Sequence, residues 1–308
     1  MNVYFGHPHY ILGRSHTVEE LYEQGFTVST PHELGSFGFE RNAVSEMSAY
    51  ELAKAVGKHF LPHTPIHEMY YDACFTENLN VSDPSQYDER VLMKHFMDYP
   101  AMNLCNDLGL TGLKYYGLSQ QGCSGLFGCI ELARRSMLCA DAPRKALCIT
   151  SEKVPNNCFY DRPEQRLLHS DAASGCLVST EAMSYKIIGT ASLSMTKRNV
   201  KMLELLLAFV SLTKQVLQQA NVPSEKIENI FCPNFWPDFW ARLLSLIKAD
   251  PRVLQFDNMH ASAHAFSSDF IINLSKRELN GLLHSGYTQL VYGYGYGSHL
   301  YCLLFEKM

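Results

Sequence analysis

Strand-like and helix-like segments alternate along most of this chain of 308 residues. Apolar runs bounded by turn residues, such as 146–151 (ALCITS), alternate with segments whose apolar residues recur at helical spacing, such as 201–220. This alternation is typical of layered α/β folds. The element order of the second half echoes that of the first, which predicts a diverged internal duplication. We therefore expect two similar α/β halves, residues 1–183 and 184–308.

Composition and charge exclude several classes of partner. The net charge is −5, and no basic block or basic-aromatic interleaving occurs, which argues against nucleic acid. The amino-terminal residues lack a basic segment followed by an apolar one, so no secretory signal is predicted. The longest apolar run, around 205–210, is far shorter than the ~20 residues of a membrane span. We expect a cytoplasmic protein that does not bind membranes.

The chain has ten cysteines, and one of them has an unusual setting. They are scattered and form no Cys-x-x-Cys pair, so we predict no metal site and expect most to be small buried residues in a reducing compartment. Cys123 lies in a glycine-punctuated turn, 117–128 (GLSQQGCSGLFG), that leads into a predicted helix over 126–139. The positive end of a helix stabilises thiolate, which is the nucleophilic form. Cys123 is therefore the candidate nucleophile of a protein that forms thioesters.

The turn around Cys123 resembles the nucleophile turn of thiolase-fold condensing enzymes, in particular the 3-oxoacyl-acyl-carrier-protein synthase III group. Further segments resemble the same group in order and spacing: 10–13 (YILG) with 17–21 (TVEEL), 37–41 (FGFER), 169–175 (HSDAASG) and 291–299 (VYGYGYGSH). The resemblance covers nearly the whole chain. It implies a thiolase-like fold of two α/β halves packed as five layers, αβαβα. It also implies a dimer, either of identical chains or with a homologous partner.

The chain departs from that group at two catalytic positions. The group uses a Cys-His-Asn triad, but Asn234, in 232–236 (CPNFW), stands where its histidine is expected. His264, in 260–269 (HASAHAFSSD), stands at the asparagine position, and Asp269 follows five residues later. This spacing resembles the Cys-His-Asp branch of the group. His260 is a rival to His264, and Asn234 is equally compatible with capping the following helix.

Roles follow from the chemistry of acyl transfer, which needs a nucleophile, a base and donors for the developing oxyanion. Cys123 would be the nucleophile, His264 the base, and Asp269 the group that orients the imidazole. Backbone N–H groups of Cys123 and of the glycine-rich loop near Gly293 would form the oxyanion hole. Structural alternatives remain open: His264 as a hydrogen-bonded helix-start residue and Asp269 as a solvated helix residue. Asp171 is expected to order a turn.

Two more segments have alternative interpretations. The aromatic segment 235–240 (FWPDFW) would line an acyl or pantetheine entrance, or would pack in the core or an interface. The tyrosine-glycine alternation at 292–297 is a poor phosphate loop, because no Lys-Ser/Thr and no helix follow it.

We therefore expect an acyltransferase that forms an acyl-thioester on Cys123 and passes the acyl group to a small-molecule oxygen, nitrogen or activated carbon nucleophile. The alternatives are a decarboxylating 3-oxoacyl synthase, a hydrolase with the same triad, and a non-catalytic partner subunit. No permanently bound cofactor is expected. The donor would be a coenzyme A or acyl-carrier-protein thioester, and Glu40, where an arginine that contacts coenzyme A would be expected, makes the carrier protein a fair alternative.

Overall fold

The protein is an α/β structure built on one large mixed sheet. A computed structural model describes residues 1–75, 78, 99–196, 200–296 and 299–308. Its strands are β1 Val3–Leu12, β2 Arg14–Thr17, β3 Arg41–Val44, β4 Glu68–Asp72, β5 Lys114–Leu118, β6 Lys145–Glu152, β7 Asp161–Arg162, β8 Leu167–Leu168, β9 Ala172–Ser179, β10 Tyr185–Ser194, β11 Ile227–Phe231, β12 Leu254–Gln255, β13 Thr288–Gly295 and β14 His299–Lys307. Its α-helices are α1 Val18–Glu23, α2 Pro31–Ser36, α3 Ala49–His59, α4 Pro100–Asp107, α5 Gly125–Leu138, α6 Met202–Ala220, α7 Pro237–Ile247, α8 Met259–Ser262 and α9 Asp269–Leu279.

The two halves of the sheet share one topology. The strand order is β12-β11-β13-β14-β10-β1-β9-β6-β4-β5, and the halves meet where β1 pairs with β10. Numbered within its own half, each side runs third, second, fourth, fifth, first from its outer edge. The directions match as well: β4 is parallel to β5 and β6, and β11 is parallel to β12 and β13. In both halves the remaining pairs are antiparallel. This repeat supports the predicted duplication, with β10 as the first strand of the second half.

Alternating strand residues divide the core into layers. On β6, Cys148 packs in a cluster with α5, whereas its neighbours Leu147 and Ile149 pack in a different cluster with α3 and α4. On β14, Leu303 joins the α5 cluster, whereas Leu304 joins a cluster with α6 and α7. Residues of α9 also lie in the cluster of α5. The order is therefore α3 and α4, sheet, α5 and α9, sheet, α6 and α7, which is the predicted αβαβα arrangement.

Local sequence explains where several helices begin. Thr17, Thr30 and Ser48 each accept a hydrogen bond from the backbone of a glutamate three residues later, whose side chain bonds back to the cap. These capping boxes satisfy N–H groups that the first helical turn leaves free. The helices predicted after residue 15 and within 45–60 are present with these caps, whereas α2 was not predicted.

Most predicted elements lie within two or three residues of the observed bounds. The strand predicted over 185–194 is present as β10, and the helix predicted over 201–220 is present as α6. Within the glycine-rich segment 291–299, positions 297 and 298 lie outside the described residues. None of the helices in the described ranges has the length and apolar character needed to cross a membrane.

Candidate active site

Cys123 lies where the sequence predicted it, at the start of α5. It occupies a short 3-10 turn, Gly122–Ser124, and α5 begins at the next residue but one. The turn is held from both sides of the molecule, because the Ser124 hydroxyl donates to the Gln121 carbonyl at 2.7 Å and the Leu126 N–H donates to the Ser267 hydroxyl at 3.3 Å. The thiol thus lies at the positive end of a 14-residue helix and is partly exposed. This is a setting that favours thiolate.

A buried carboxyl lies beneath the start of α5. A Cβ atom at Gly125 would lie 1.9 Å from Asp72 Oδ2, so only glycine allows the helix this close to β4. Burial raises the pKa of Asp72 from its ordinary 3.8 to about 7, and a hydrogen bond from Thr150 opposes the shift. Asp72 Oδ1 is buried without a hydrogen-bond partner among the described residues. Asp72 is therefore a carboxyl that burial holds near neutrality.

A second thiol faces the nucleophile. Cys74 follows β4, and its thiol is a hydrogen-bond partner of the Cys123 thiol. That hydrogen bond, burial and the charges of Cys123 and Asp72 all raise the pKa of Cys74. Cys74 therefore keeps its proton and donates it towards Cys123. The sequence analysis missed this residue, since its only signal is that parallel strands β4 and β5 end at one sheet edge, with Asp72 opposite Leu118.

His264 and Asp269 form the predicted pair. The distance from His264 Nδ1 to Asp269 Oδ2 is 2.5 Å, and both side chains are buried. Asp269 also accepts backbone N–H groups, from Asn234 at 2.8 Å onto Oδ2 and from Ala265 at 2.7 Å onto Oδ1. A carboxylate with several donors is fixed in position and fixes the imidazole with Nδ1 as donor. The alternative of a solvated Asp269 is wrong.

Asn234 supports this pair rather than lining the cavity. Its Nδ2 donates to the Ala263 carbonyl at 2.9 Å, and its Oδ1 accepts from Asn273 at 2.9 Å. Asn273 in turn accepts from Asn258 at 2.9 Å. The alternative that Asn234 caps the next helix is also wrong, because α7 begins after Trp236 and has no side-chain cap. A catalytic role for Asn234 stays a prediction, with its amide already used inside the protein.

The nucleophile and the base share one small cavity of ≈ 60 Å³. Both Cys123 and His264 line it, with walls formed by Phe235, Trp236 and Tyr294 among others. His264 Nε2 is buried and has no hydrogen-bond partner among the described residues. Since Nδ1 is held by Asp269, this nitrogen is the group free to exchange a proton with a molecule in the cavity.

A second histidine lines the same cavity and was not singled out from the sequence. His169 precedes β9 in the segment 169–175, and its ring centroid lies 5.5 Å from that of His264. Burial lowers the pKa of His169 to about 3, and the charge of His264 adds to the effect. The signal available in the sequence was a histidine where glycine-rich turns of this type carry none.

The other predicted residues take less central places. His260, the rival base, is exposed on α8 and does not line the cavity. Asp171 orders turns as predicted, because it accepts from the backbone of Ser45 and Val154 and from the Tyr160 hydroxyl, each at 2.8 Å.

The glycine-rich strand contacts the nucleophile turn at a later position than predicted. Gly293 lies within β13 and faces Phe127. A Cβ atom at Gly295 would lie 1.8 Å from the Gln121 carbonyl oxygen, so this glycine allows the strand to contact the turn. The Cys123 and Gly293 N–H groups as an oxyanion hole stay a prediction.

A larger cavity of ≈ 620 Å³ adjoins the small one at Trp236, which lines both. Its walls combine apolar side chains, such as Met202 and Leu206, with two arginines, Arg166 and Arg242. The aromatic segment 235–240 therefore has both predicted roles, since Phe239 packs in the core and Trp236 lines the cavities. Among the described residues, no three His, Cys, Asp or Glu side chains group as a metal site would require.

Comparison with solved structures identifies the fold. ChlB3, described as an acyltransferase, matches with a TM-score of 0.83 at 16% identity, covering 100% of this chain and 98% of that chain. The 3-oxoacyl-[acyl-carrier-protein] synthase III of Aquifex aeolicus VF5 matches with a TM-score of 0.77 at 14% identity, covering 99% of both chains. The fold is that of the synthase III group. The predicted thiolase-like fold is thereby confirmed.

OleA of Xanthomonas campestris, solved with bound lauric acid and lauroyl-CoA, also has the synthase III fold, with a TM-score of 0.72 at 15% identity over 99% of both chains. No family model matches the sequence, and no curated protein matches it. At these identities the likeness establishes the architecture, and the chemistry has to be argued from the site.

Proposed function

We propose that the protein is an acyltransferase that carries its acyl group on Cys123. The observation that carries the proposal is the shared cavity, in which a thiol at a helix start faces a histidine with a carboxylate on Nδ1 and a free Nε2. These are the nucleophile, the base and the orienting group of acyl transfer. The thioester carbonyl would be attacked by the Cys123 thiolate, and the donor thiol would take the proton from His264.

In the second step His264 Nε2 would accept a proton from the acceptor while the acceptor attacks the acyl carbon. The thiolate of Cys123 leaves, which regenerates the free enzyme. Transfer is favoured over decarboxylating condensation because the Asn234 amide is bonded to Ala263 and Asn273 and does not line the cavity. The histidine-asparagine pair used for chain extension in the synthases is therefore not presented here.

We propose that the donor is a pantetheine thioester that enters through the larger cavity. Its apolar walls suit the pantetheine arm, and Arg166 and Arg242 suit a phosphate group, which arginine binds well. Coenzyme A and acyl carrier protein both present this chemistry. A dimer, cytoplasmic location and the acceptor stay part of the proposal.

Intact-mass measurement tests the first step. The protein is incubated with acetyl, hexanoyl and lauroyl thioesters of pantetheine, and we expect the mass of one acyl group to be added to the wild type and none to Cys123→Ala. Cys158→Ala is the matched control, because Cys158 is an exposed free cysteine outside the cavity. An adduct that persists in Cys123→Ala overturns the proposal. Free acid released at the same rate with and without any acceptor would instead identify a hydrolase.

A further inference from the structure

His169 is held firmly beside the base. Its backbone forms an isolated β-bridge with His264, and its ring stacks on Phe266 with centroids 4.8 Å apart. The backbone N–H and the ring Nδ1 both point to the Tyr160 carbonyl, at 2.8 Å and 3.0 Å. The ring orientation is therefore set by the protein before any ligand binds.

This hydrogen bond assigns the proton of the His169 ring. A carbonyl oxygen can only accept, so Nδ1 must be the nitrogen that carries hydrogen. In a neutral imidazole the other nitrogen is then an acceptor. Nε2 has no hydrogen-bond partner among the described residues, and the side chain lines the cavity. His169 thus presents a lone pair to the space beside Cys123.

The cavity consequently offers two acceptor nitrogens, Nε2 of His169 and Nε2 of His264. Two hydrogen bonds of about 3 Å from one donor nitrogen reach acceptors about 5 Å apart. The 5.5 Å between the two ring centroids is compatible with that spacing. A hydroxyl has one hydrogen and could satisfy only one of them, whereas an NH2 group has two.

The charge of the cavity narrows the class of amine. Its lining within the described ranges includes Arg162 and no carboxylate, so an ammonium group would have no counter-ion. Burial keeps His169 itself uncharged. The walls are largely aromatic, with Phe235, Trp236 and Tyr294 at the cavity surface. A weakly basic amine on an aromatic ring is neutral at pH 7 and fits both properties.

We infer that His169 binds the acceptor substrate, and that this acceptor is a neutral aromatic primary amine; the inference rests on the proposed acyl transfer. The amine nitrogen bonds to the acyl carbon, the carbon–sulfur bond to Cys123 breaks, and one amine proton passes through His264 to the departing thiolate. The second N–H stays hydrogen-bonded to His169 Nε2 throughout. The product is an amide and free Cys123.

Deacylation of the preloaded enzyme tests the inference. The acyl-Cys123 form is mixed with aniline, N-methylaniline, phenol or benzylamine, and loss of the acyl mass is timed. We expect aniline to react at least tenfold faster than N-methylaniline in the wild type, because only aniline satisfies both acceptors. In His169→Asn, whose amide keeps the donor to Tyr160 but lacks Nε2, the ratio should fall to within about threefold. His169→Gln, which restores an acceptor at that distance, should recover it.

Nitrogen-15 NMR of histidine-labelled, unacylated protein gives a second readout that does not depend on turnover. We expect His169 to be neutral with hydrogen on Nδ1 at pH 5, and its Nε2 resonance to shift on titration with aniline more than with N-methylaniline. A protonated ring, hydrogen on Nε2, or an aniline preference unchanged in His169→Asn overturns the inference. If the wild type is never acylated, the proposed function fails, while the NMR titration still decides the role of His169.

Discussion

The two sides of the cavity hold their titratable groups in different ways. On the side of the first half, Asp72 and Cys74 have pKa values raised largely by burial and neighbouring groups, and Asp72 Oδ1 has no partner among the described residues. On the side of the second half, Asp269 accepts from His264, Asn234 and Ala265, and a chain of amides supports it. The first side is adjusted by exclusion of water, and the second is fixed by direct hydrogen bonds. Groups near the nucleophile should therefore respond to pH, and groups near the base to loss of a partner.

The largest effect should come from the carboxylate that orients the base. In Asp269→Asn the amide nitrogen or oxygen replaces the charge, and the imidazolium formed during transfer loses its stabilisation. We expect the turnover rate to fall roughly 10³–10⁴-fold. Steady-state release of thiol from an acyl thioester measures it, with Asp141→Asn, an exposed carboxyl, as the control. A fall of less than tenfold would contradict the role of Asp269.

The second effect is a pH dependence of stability from Asp72. A carboxyl with a pKa of about 7 in the folded protein and 3.8 otherwise binds more protons folded than unfolded between those values. The free energy of unfolding therefore falls as pH rises through that window, by about 3 kcal/mol between pH 5 and pH 8. Asp72→Asn removes this contribution. Urea denaturation at both pH values measures it, and equal pH slopes in wild type and variant would show that the carboxyl is not held neutral.

A third effect tests the hydrogen-bonded side. Asn234→Ala leaves the Asn273 amide and the Ala263 carbonyl without their partner. We expect the free energy of unfolding to fall by about 2 kcal/mol, with little change between pH 5 and pH 8. Asn280→Ala, at the exposed carboxyl-terminal end of α9, is the control. A destabilisation equal to that of the control would mean that the amide chain contributes nothing.

The smallest effect concerns the two thiols. Cys74 keeps its proton because Cys123 and burial raise its pKa, and alkylation requires thiolate. With limiting iodoacetamide at pH 7.5 we expect Cys123 to be labelled about tenfold faster than Cys74, measured by peptide mass spectrometry. Labelling of Cys74 first would reverse the proton assignment of the pair.

Local patterns predicted much of the architecture and part of the site. The helix α6 and the strand β10 follow from apolar periodicity within one segment, which does not depend on distant residues. The pair His264 and Asp269 was predictable because five residues across a helix start bring the two side chains together locally. The Trp236 start of α7 was not, since Trp236 adopts a left-handed φ of 52° that tertiary packing imposes.

The sequence by itself determined the alternation of elements, the Cys123 turn and the carboxylate behind the base, because each depends on residues close together in the chain. Only the tertiary structure decided which groups face the nucleophile. Cys74 and His169 reach the cavity from different strands, and Asn234 is turned into the protein by Asn273. Such placements depend on strand order and on buried polar groups finding partners, and these are properties of the assembled layers.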